Sequence, residues 1–211
     1  MSTENGIYHV TFLRHGESVG NAEDRFQGQA DFPLTEKGLC QAHALAEGWA
    51  ATGRTFDLCL ASPLLRARQT AEVVAKKLGM PLEFNPDWME IHNGKLAGLT
   101  HEEAILALPP PPFTTPYTRY GQTGESRLEI LLRAGKALQN LLDRPPARYL
   151  VVAHGGILNM AMYTALGIAL QSSDQRARFM FGNTGFADLT YEPERHIWRL
   201  WVFDNTEDSA E

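Results

Sequence analysis

The chain has 211 residues, a formal net charge of -6 and 44% hydrophobic residues, which is the composition of a globular protein. The negative charge argues against general binding to nucleic acid or to an anionic membrane, and the apolar runs are too short to cross a bilayer. The N-terminal stretch lacks the basic and apolar layout of a signal peptide. We therefore expect one cytoplasmic domain over residues 1–211, with no nucleic-acid or membrane partner. The sequence leaves the oligomeric state open.

Short apolar runs alternate along the chain with apolar residues at helical spacing. Strands are predicted at residues 8–14, 57–61, 82–84, 150–153, 186–191 and 197–203. The last two flank a turn and are expected to form a hairpin. This alternation predicts an α/β protein, a three-layer αβα sandwich around a mainly parallel sheet with one antiparallel edge strand.

Capping residues predict where the helices begin. Thr35 is expected to cap a helix over the apolar positions of 39–49, and Ser62 is expected to cap the next helix, with Pro63 in its first turn. Thr100 and Ser126 each precede a glutamate by three residues, as in a capping box. The apolar face of the helix after Ser126 is predicted to consist of Leu128, Leu131, Leu132, Leu138 and Leu142.

Residues 108–125 contain too many prolines for regular structure. A segment of this length without helix or strand is typical of a lid or a binding loop. We therefore expect a lid or substrate-binding segment at about residues 91–126, in which Arg119 is a candidate contact to the substrate.

No metal or cofactor is expected. Cys40 and Cys59 are too few for a zinc ligand set or a disulfide framework, and we expect both thiols in the core. The sequence also lacks a Walker phosphate-binding loop and an aspartate-rich metal motif.

Two predicted strands end in a histidine that is followed by glycine. One carries Arg14, His15 and Gly16, and the other carries His154 and Gly155. In an open parallel sheet, ligands bind outside the carboxyl ends of the strands, so these residues and the segment 62–66 are expected to converge. Arg66 adds a second guanidinium, a planar group that matches phosphate oxygens. The cluster therefore indicates a phosphate site.

Four segments, in this order, resemble the signature blocks of the histidine phosphatase superfamily, in its phosphoglycerate-mutase-like branch. They are LRHGESVGN, SPLLRARQTAE, MEIHNGKLAGLT and VVAHGG, and they cover the chain from about residue 8 to 160. The chain departs from the family pattern at Asn93 and Ala97, where phenylalanine and glutamate are common. This departure concerns the wall of the substrate pocket and not the fold.

The resemblance implies a phosphohistidine mechanism. His15 would be the nucleophile, and Glu90 would donate the proton to the leaving group and later act as the base. The residues that would hold the phosphoryl group are Arg14, Arg66 and His154, with help from Asn21 and Gln27. Without a metal, these cations would supply the positive charge that phosphoryl transfer requires.

The expected function is hydrolysis of a phosphomonoester, with a small phosphorylated metabolite as the substrate. Phosphoglycerate mutase is the alternative, because both reactions use the same core. Family mutases carry extra basic residues for a second phosphate, whereas residues 101–125 offer only Arg119 as a strong cation. Lys95 and Arg127 could also contribute, so the shortage of cations is relative. A protein that binds phosphorylated ligands without catalysis is a further alternative.

Two other enzyme classes match short stretches only. Residues 16–20 read G-x-S-x-G, the nucleophile elbow of α/β-hydrolases, but that elbow requires a sheet already built upstream. Cys59 and Arg66 are too far apart for the phosphate-binding loop of a cysteine phosphatase, and a proline lies between them. We therefore set both classes aside.

Overall fold

A six-stranded mixed sheet forms the centre of the fold in the computed structural model, which describes residues 6–172 and 177–205. The strands are β1 (Tyr8–Arg14), β2 (Leu58–Ala61), β3 (Leu82–Phe84), β4 (Arg148–Ala153), β5 (Phe186–Glu192) and β6 (Ile197–Asp204). Their order in the sheet is β3-β2-β4-β1-β5-β6. The first four are parallel neighbours, β5 runs antiparallel to β1, and β6 runs antiparallel to β5. The mainly parallel sheet is confirmed, with β5 as the reversed strand and β6 outside it at the edge.

Helices cover both faces of this sheet. They are α1 (Val19–Ala22), α2 (Glu36–Ala51), α3 (Leu65–Leu78), α4 (His101–Ala107), α5 (Arg127–Leu142) and α6 (Gly155–Leu166). Alternate residues of β1 enter two separate cores, with Phe12 on the side of α5 and α6 and Leu13 on the side of α2 and α3. None of the helices described here is long and apolar enough to span a bilayer.

Most of the predicted helix starts are confirmed. The Thr35 side chain accepts the N–H of Gly38, and Thr100 and Ser126 each form a capping box. The prediction for Ser62 is wrong, because α3 begins at Leu65 with no side-chain cap. The Ser62 hydroxyl lies instead 2.8 Å from Nε2 of His154. Ser62, which the sequence predicted as a helix cap, therefore lies at the edge of the sheet where a ligand is expected to bind.

The predicted apolar face of α5 is also wrong in part. Leu138 is buried, but Leu132 is 65% exposed. The residues that α5 buries are Arg127, Ile130, Ala134, Ala137, Leu138 and Leu141. The helix packs closely on α6, and small alanines allow two helices to approach. The predicted core position of Cys40 is likewise wrong, since its thiol is exposed, whereas Cys59 is buried.

The proline-rich segment between α4 and α5 contains no helix or strand, as predicted. Its last residues are attached to the chain that follows β3. The Lys95 N–H donates to the carbonyl of Gly121 at 3.0 Å, and the Glu125 N–H donates to the carbonyl of His92 at 2.8 Å. The end of the segment is therefore anchored, and its role as a lid stays a prediction.

We predict opposite effects of alanine at two glycines of α2. A Cβ atom at Gly38 would lie 1.9 Å from the carbonyl oxygen of Glu17, so the chain after β1 would have to move. Gly38→Ala should lower the free energy of unfolding by about 1–3 kcal/mol, as overpacking does. Gly48 meets nothing within 4 Å, and Gly48→Ala should raise that free energy by about 0.5–1 kcal/mol. Urea unfolding measures both, and equal effects would contradict the close approach at Gly38.

Candidate active site

The carboxyl ends of three parallel strands form the floor of the site. Arg14 is the last residue of β1 and His15 follows it, Ser62 follows β2, and His154 follows β4. A cavity of about 410 Å³ opens above them. The predicted site residues that line this cavity are Arg14, His15, Gln27, Arg66 and Glu90. The convergence expected from the strand ends is therefore what the fold produces.

His15 is buried, and one of its ring nitrogens is already hydrogen-bonded. Its Nδ1 lies 2.6 Å from the carbonyl oxygen of Gly16. Because a carbonyl can only accept, Nδ1 carries the proton and Nε2 keeps its lone pair. Burial, followed by the charges of Arg66 and Arg14, lowers the pKa of His15 well below the usual 6.5. The imidazole is therefore neutral, as a nucleophile must be.

His154 lies against His15, with 5.1 Å between the ring centroids. Its Nε2 is 2.8 Å from the hydroxyl oxygen of Ser62, and that oxygen also accepts the N–H of Leu64 at 3.3 Å. When the Ser62 hydroxyl donates to Nε2, the ring proton of His154 is on Nδ1. Burial, followed by the charge of Arg66, lowers the pKa of His154 well below 6.5. Nδ1 has no hydrogen-bond partner among the described residues.

Two arginines bring positive charge to the two histidines. Arg66 is 1% exposed and donates to the carbonyls of Ala30 and Gly28, at 3.0 and 2.7 Å. Arg14 is half-buried and donates to the carbonyl of Phe181 at 2.6 Å. Burial lowers the pKa of Arg66 to about 10 and also lowers that of Arg14, so both stay charged at neutral pH. In the described part of the chain, nothing accepts from their Nε atoms, and buried cationic donors of this kind suit an anion.

Glu90 lies at the N-terminus of α6. Its Oε2 accepts the N–H of Gly156 at 3.0 Å, and its Oε1 accepts the N–H groups of Ile157 and Ile91 at 3.0 and 2.9 Å. A Cβ atom at Gly156 would lie 2.5 Å from Oε1. The second glycine after His154 therefore makes room for the carboxylate of Glu90.

Residues 10–204 match the family model of the histidine phosphatase superfamily (branch 1). The chain belongs to the histidine phosphatase superfamily. It is 34% identical to the protein named Probable phosphoglycerate mutase GpmB of Cronobacter sakazakii, over 96% of this chain and 94% of that one. These matches confirm the resemblance seen in the four segments and make the protein an enzyme of the histidine phosphatase kind.

Solved structures of two phosphatases share its fold. A mycobacterial glucosyl-3-phosphoglycerate phosphatase, solved with VO3, is 26% identical with a TM-score of 0.77, and the match covers 94% of this chain and 100% of that one. A phosphoserine phosphatase of Entamoeba histolytica, in complex with 3-phosphoglyceric acid, is 23% identical with a TM-score of 0.74. That match covers 95% of this chain and 98% of the other. It supports the fold alone.

The other predicted residues of this histidine phosphatase are Gln27 and Asn21, which both contact Ser18, and Arg119, which lies elsewhere. Gln27 lines the cavity, and its Oε1 lies 2.7 Å from the hydroxyl of the buried Ser18. Asn21 lies beside Ser18, whose hydroxyl is 2.8 Å from Asn21 Oδ1. Arg119 is directed away from this site, where it pairs with Glu129 and lines a neighbouring cavity. Arg119 therefore carries no part of the function proposed below.

Three further arginines also line the cavity above His15. They are Arg25, Arg127 and Arg178. Arg127 is buried at the start of α5, and Arg178 is exposed on the chain after α6. The shortage of cations inferred from residues 101–125 is therefore wrong, since the cavity takes its arginines from other segments. Their only signal in the sequence is their charge.

Arg133, on α5, fixes the segment that carries Glu90. Its guanidinium donates to both carboxylate oxygens of Glu125 at 2.8 and 2.7 Å. It also donates to the carbonyls of Asp87, Met89 and Glu90 at 3.0, 2.5 and 3.1 Å. Every N–H of the guanidinium is used. Arg133 therefore joins the segment that carries Glu90 to the end of the proline-rich segment, a role that the sequence pattern did not indicate.

The described ranges, 6–172 and 177–205, hold no cluster of three histidine, cysteine or acidic side chains that could bind a metal ion. The cavity is instead lined by arginines and by His15, and His154 lies against His15. Whether the reaction proceeds without a metal stays a prediction.

We predict that the free energy of unfolding falls as the pH is lowered from about 7 to about 5, in part because of His15 and His154. Their pKa values lie well below 6.5 in the folded protein, whereas the unfolded chain binds these protons near 6.5. Protonation therefore favours the unfolded chain, and the stability present above pH 6.5 is lost as the pH falls.

Urea unfolding at a series of pH values, in buffer free of phosphate, measures this loss. His15→Gln removes one of the two groups and should make the fall with pH shallower than in the wild type. His43→Gln, on the exposed side of α2, controls for the loss of a surface histidine. Identical pH slopes for the wild type and His15→Gln would contradict the proposed neutral imidazole.

Proposed function

We propose that this histidine phosphatase hydrolyses a small phosphorylated metabolite through a phosphohistidine on His15. The observation that carries the proposal is the state of His15, whose Nδ1 is bonded to Gly16 and whose Nε2 keeps a lone pair at the floor of a cationic cavity. A neutral imidazole between arginines can attack phosphorus and hold the product of that attack. We also expect the enzyme to act in the cytoplasm.

In the first step, a bond forms between His15 Nε2 and phosphorus while the ester P–O bond breaks. Arg14, Arg66 and the Nδ1–H of His154 stabilise the charge on the non-bridging oxygens, which is the main requirement of phosphoryl transfer. The leaving oxygen takes a proton from Glu90. In the second step, water attacks phosphorus, Glu90 accepts its proton, and the N–P bond breaks to release phosphate.

The cavity favours a substrate with a second acidic group. Arg127 and Arg178 line it together with the two arginines near His15, and a carboxylate or a second phosphate would pair with such cations. The names of two relatives contain phosphoglycerate, which carries a carboxylate beside its phosphate. A phosphorylated acid is therefore the substrate class that we propose.

Phosphoglycerate mutase is a second candidate, supported by the same arginines and by the name of the Cronobacter relative. A mutase returns the phosphoryl group to its substrate and must keep water away from the phosphohistidine. The similarity to a glucosyl-3-phosphoglycerate phosphatase favours water as the acceptor. The reaction products, a phosphate isomer or free phosphate, distinguish the mutase from the phosphatase.

The first prediction for this function concerns the fate of the phosphoryl group. With labelled 3-phosphoglycerate, a trace of the 2,3-bisphosphate and EDTA, the enzyme should release phosphate faster than it forms the 2-isomer. A quench that avoids acid should trap label on His15, because a phosphohistidine hydrolyses in acid.

His15→Ala is the control, and it should lose both the trapped label and the activity while it stays folded. Isomerisation that outruns hydrolysis would show a mutase, and activity that requires added Mg²⁺ would contradict the cationic site. Binding of phosphate without any turnover would favour a protein that only binds phosphorylated ligands.

The second prediction concerns Glu90 and the leaving group. Glu90→Gln should lower kcat for an alkyl phosphate by about 10²–10⁴-fold, the usual contribution of a general acid. The loss should be much smaller for p-nitrophenyl phosphate, whose phenolate leaves without a proton. Steady-state kinetics on both substrates measure this difference.

Two glycines provide a matched pair for the same test. Gly156→Ala should push the carboxylate of Glu90 aside and reproduce the selective loss, because a Cβ there would lie 2.5 Å from Oε1. Gly155→Ala should not, since its nearest neighbour would be Arg14 Nε at 4.0 Å. Equal losses on both substrates would exclude Glu90 as the proton donor.

A further inference from the structure

A second cavity, of about 710 Å³, lies beside the catalytic cavity, under the proline-rich segment. Its volume is within the range of about 300–1,000 Å³ that is usual for small-molecule sites. Its walls come from α4, from the chain before α4 and from the first part of the proline-rich segment. The apolar residues that form them include Leu96, Ala104, Ile105, Leu108, Pro109 and Pro110.

Three side chains line both cavities, namely Phe26, Tyr120 and Arg127. Phe26 and Tyr120 are half-buried. The backbone of Phe26 is fixed by hydrogen bonds to Leu99 and Gly98, at 2.8 Å each. The two cavities are therefore neighbours that share one wall. A molecule bound at His15 would reach the second cavity by extending past these three side chains.

Ile105, an apolar residue of this cavity, is 60% exposed. The proline-rich segment also exposes Phe113 and Tyr117, which do not line the cavity, by 60% and 72%. Apolar side chains that stay exposed at a cavity are available to an apolar ligand. Arg119, which the sequence indicated as a substrate contact, also lines this cavity, and it is paired with Glu129.

We infer that the second cavity binds an apolar part of the substrate alcohol, so that this enzyme accepts phosphomonoesters with an alkyl or aryl group. The inference rests on the proposed function, because the phosphate of the same molecule would be bound at His15. The alkyl or aryl group of the substrate then lies between Phe26 and Tyr120, and it excludes water from the apolar walls of the second cavity. Specificity for the alcohol then depends on residues that take no part in phosphoryl transfer.

A series of n-alkyl phosphates from ethyl to octyl tests this inference, with phosphate release as the readout. Each methylene that enters the second cavity should raise kcat/KM by about threefold to fourfold, the value of one buried methylene group. The matching alkylphosphonates, which the enzyme does not cleave, should bind with a Kd that falls by the same factor for each methylene, as measured by calorimetry. A Kd that falls with chain length while no phosphate is released would contradict the proposed function and leave the inference standing.

Two adjacent residues of α4 provide the variants. Ile105 lines the cavity, whereas Leu106 is 79% exposed and does not line it. Ile105→Asp should abolish the gain with chain length, and Ile105→Met should keep it. Leu106→Asp, which adds the same charge one residue away, should also keep the gain. No gain with chain length in the wild type, or equal losses in the two aspartate variants, would overturn the inference.

Discussion

The placement of Arg14 and Arg66 under the cavity is the constraint on which the rest of the site depends. A buried guanidinium is costly unless its N–H groups are bonded, and here two separate loops supply the acceptors. The carbonyls of Gly28 and Ala30 bind Arg66, and that of Phe181 binds Arg14. These bonds bring distant parts of the chain around one point. Burial, together with these two charges, lowers the pKa of His15 and keeps its ring neutral.

The residues at strand ends could be predicted from the sequence, because their position depends on local patterns alone. A short apolar run that stops at Arg14 and His15, or at His154, is visible without any tertiary contact. The parallel sheet then places these ends together. The positions of the strands along the chain and both capping boxes follow from local patterns as well.

Other features depended on contacts between distant segments. Ser62 has the sequence context of a helix cap, but its hydroxyl binds His154, which lies 92 residues away in the chain. The buried face of α5 combines Ile130, Leu138 and Leu141 with the small Ala134 and Ala137, and α6 packs closely on it, whereas the sequence pattern favoured other leucines of the helix. The sequence does not show that Arg178 reaches the cavity, and it does not show the role of Arg133, because that role depends on its carbonyl partners in a distant segment.

The bonds of Arg133 also indicate which segment of this enzyme must keep its position and which segment is free to change in sequence. Its bonds to Glu125 and to the carbonyl of Glu90 fix the segment that carries Glu90. The chain between α4 and Glu125 contributes no residue to these bonds. Insertions, deletions or replacements in residues 109–119 would therefore change the walls of the second cavity and leave the position of Glu90 unchanged. Proteins of this design can acquire new substrates through one loop, without rebuilding the catalytic centre.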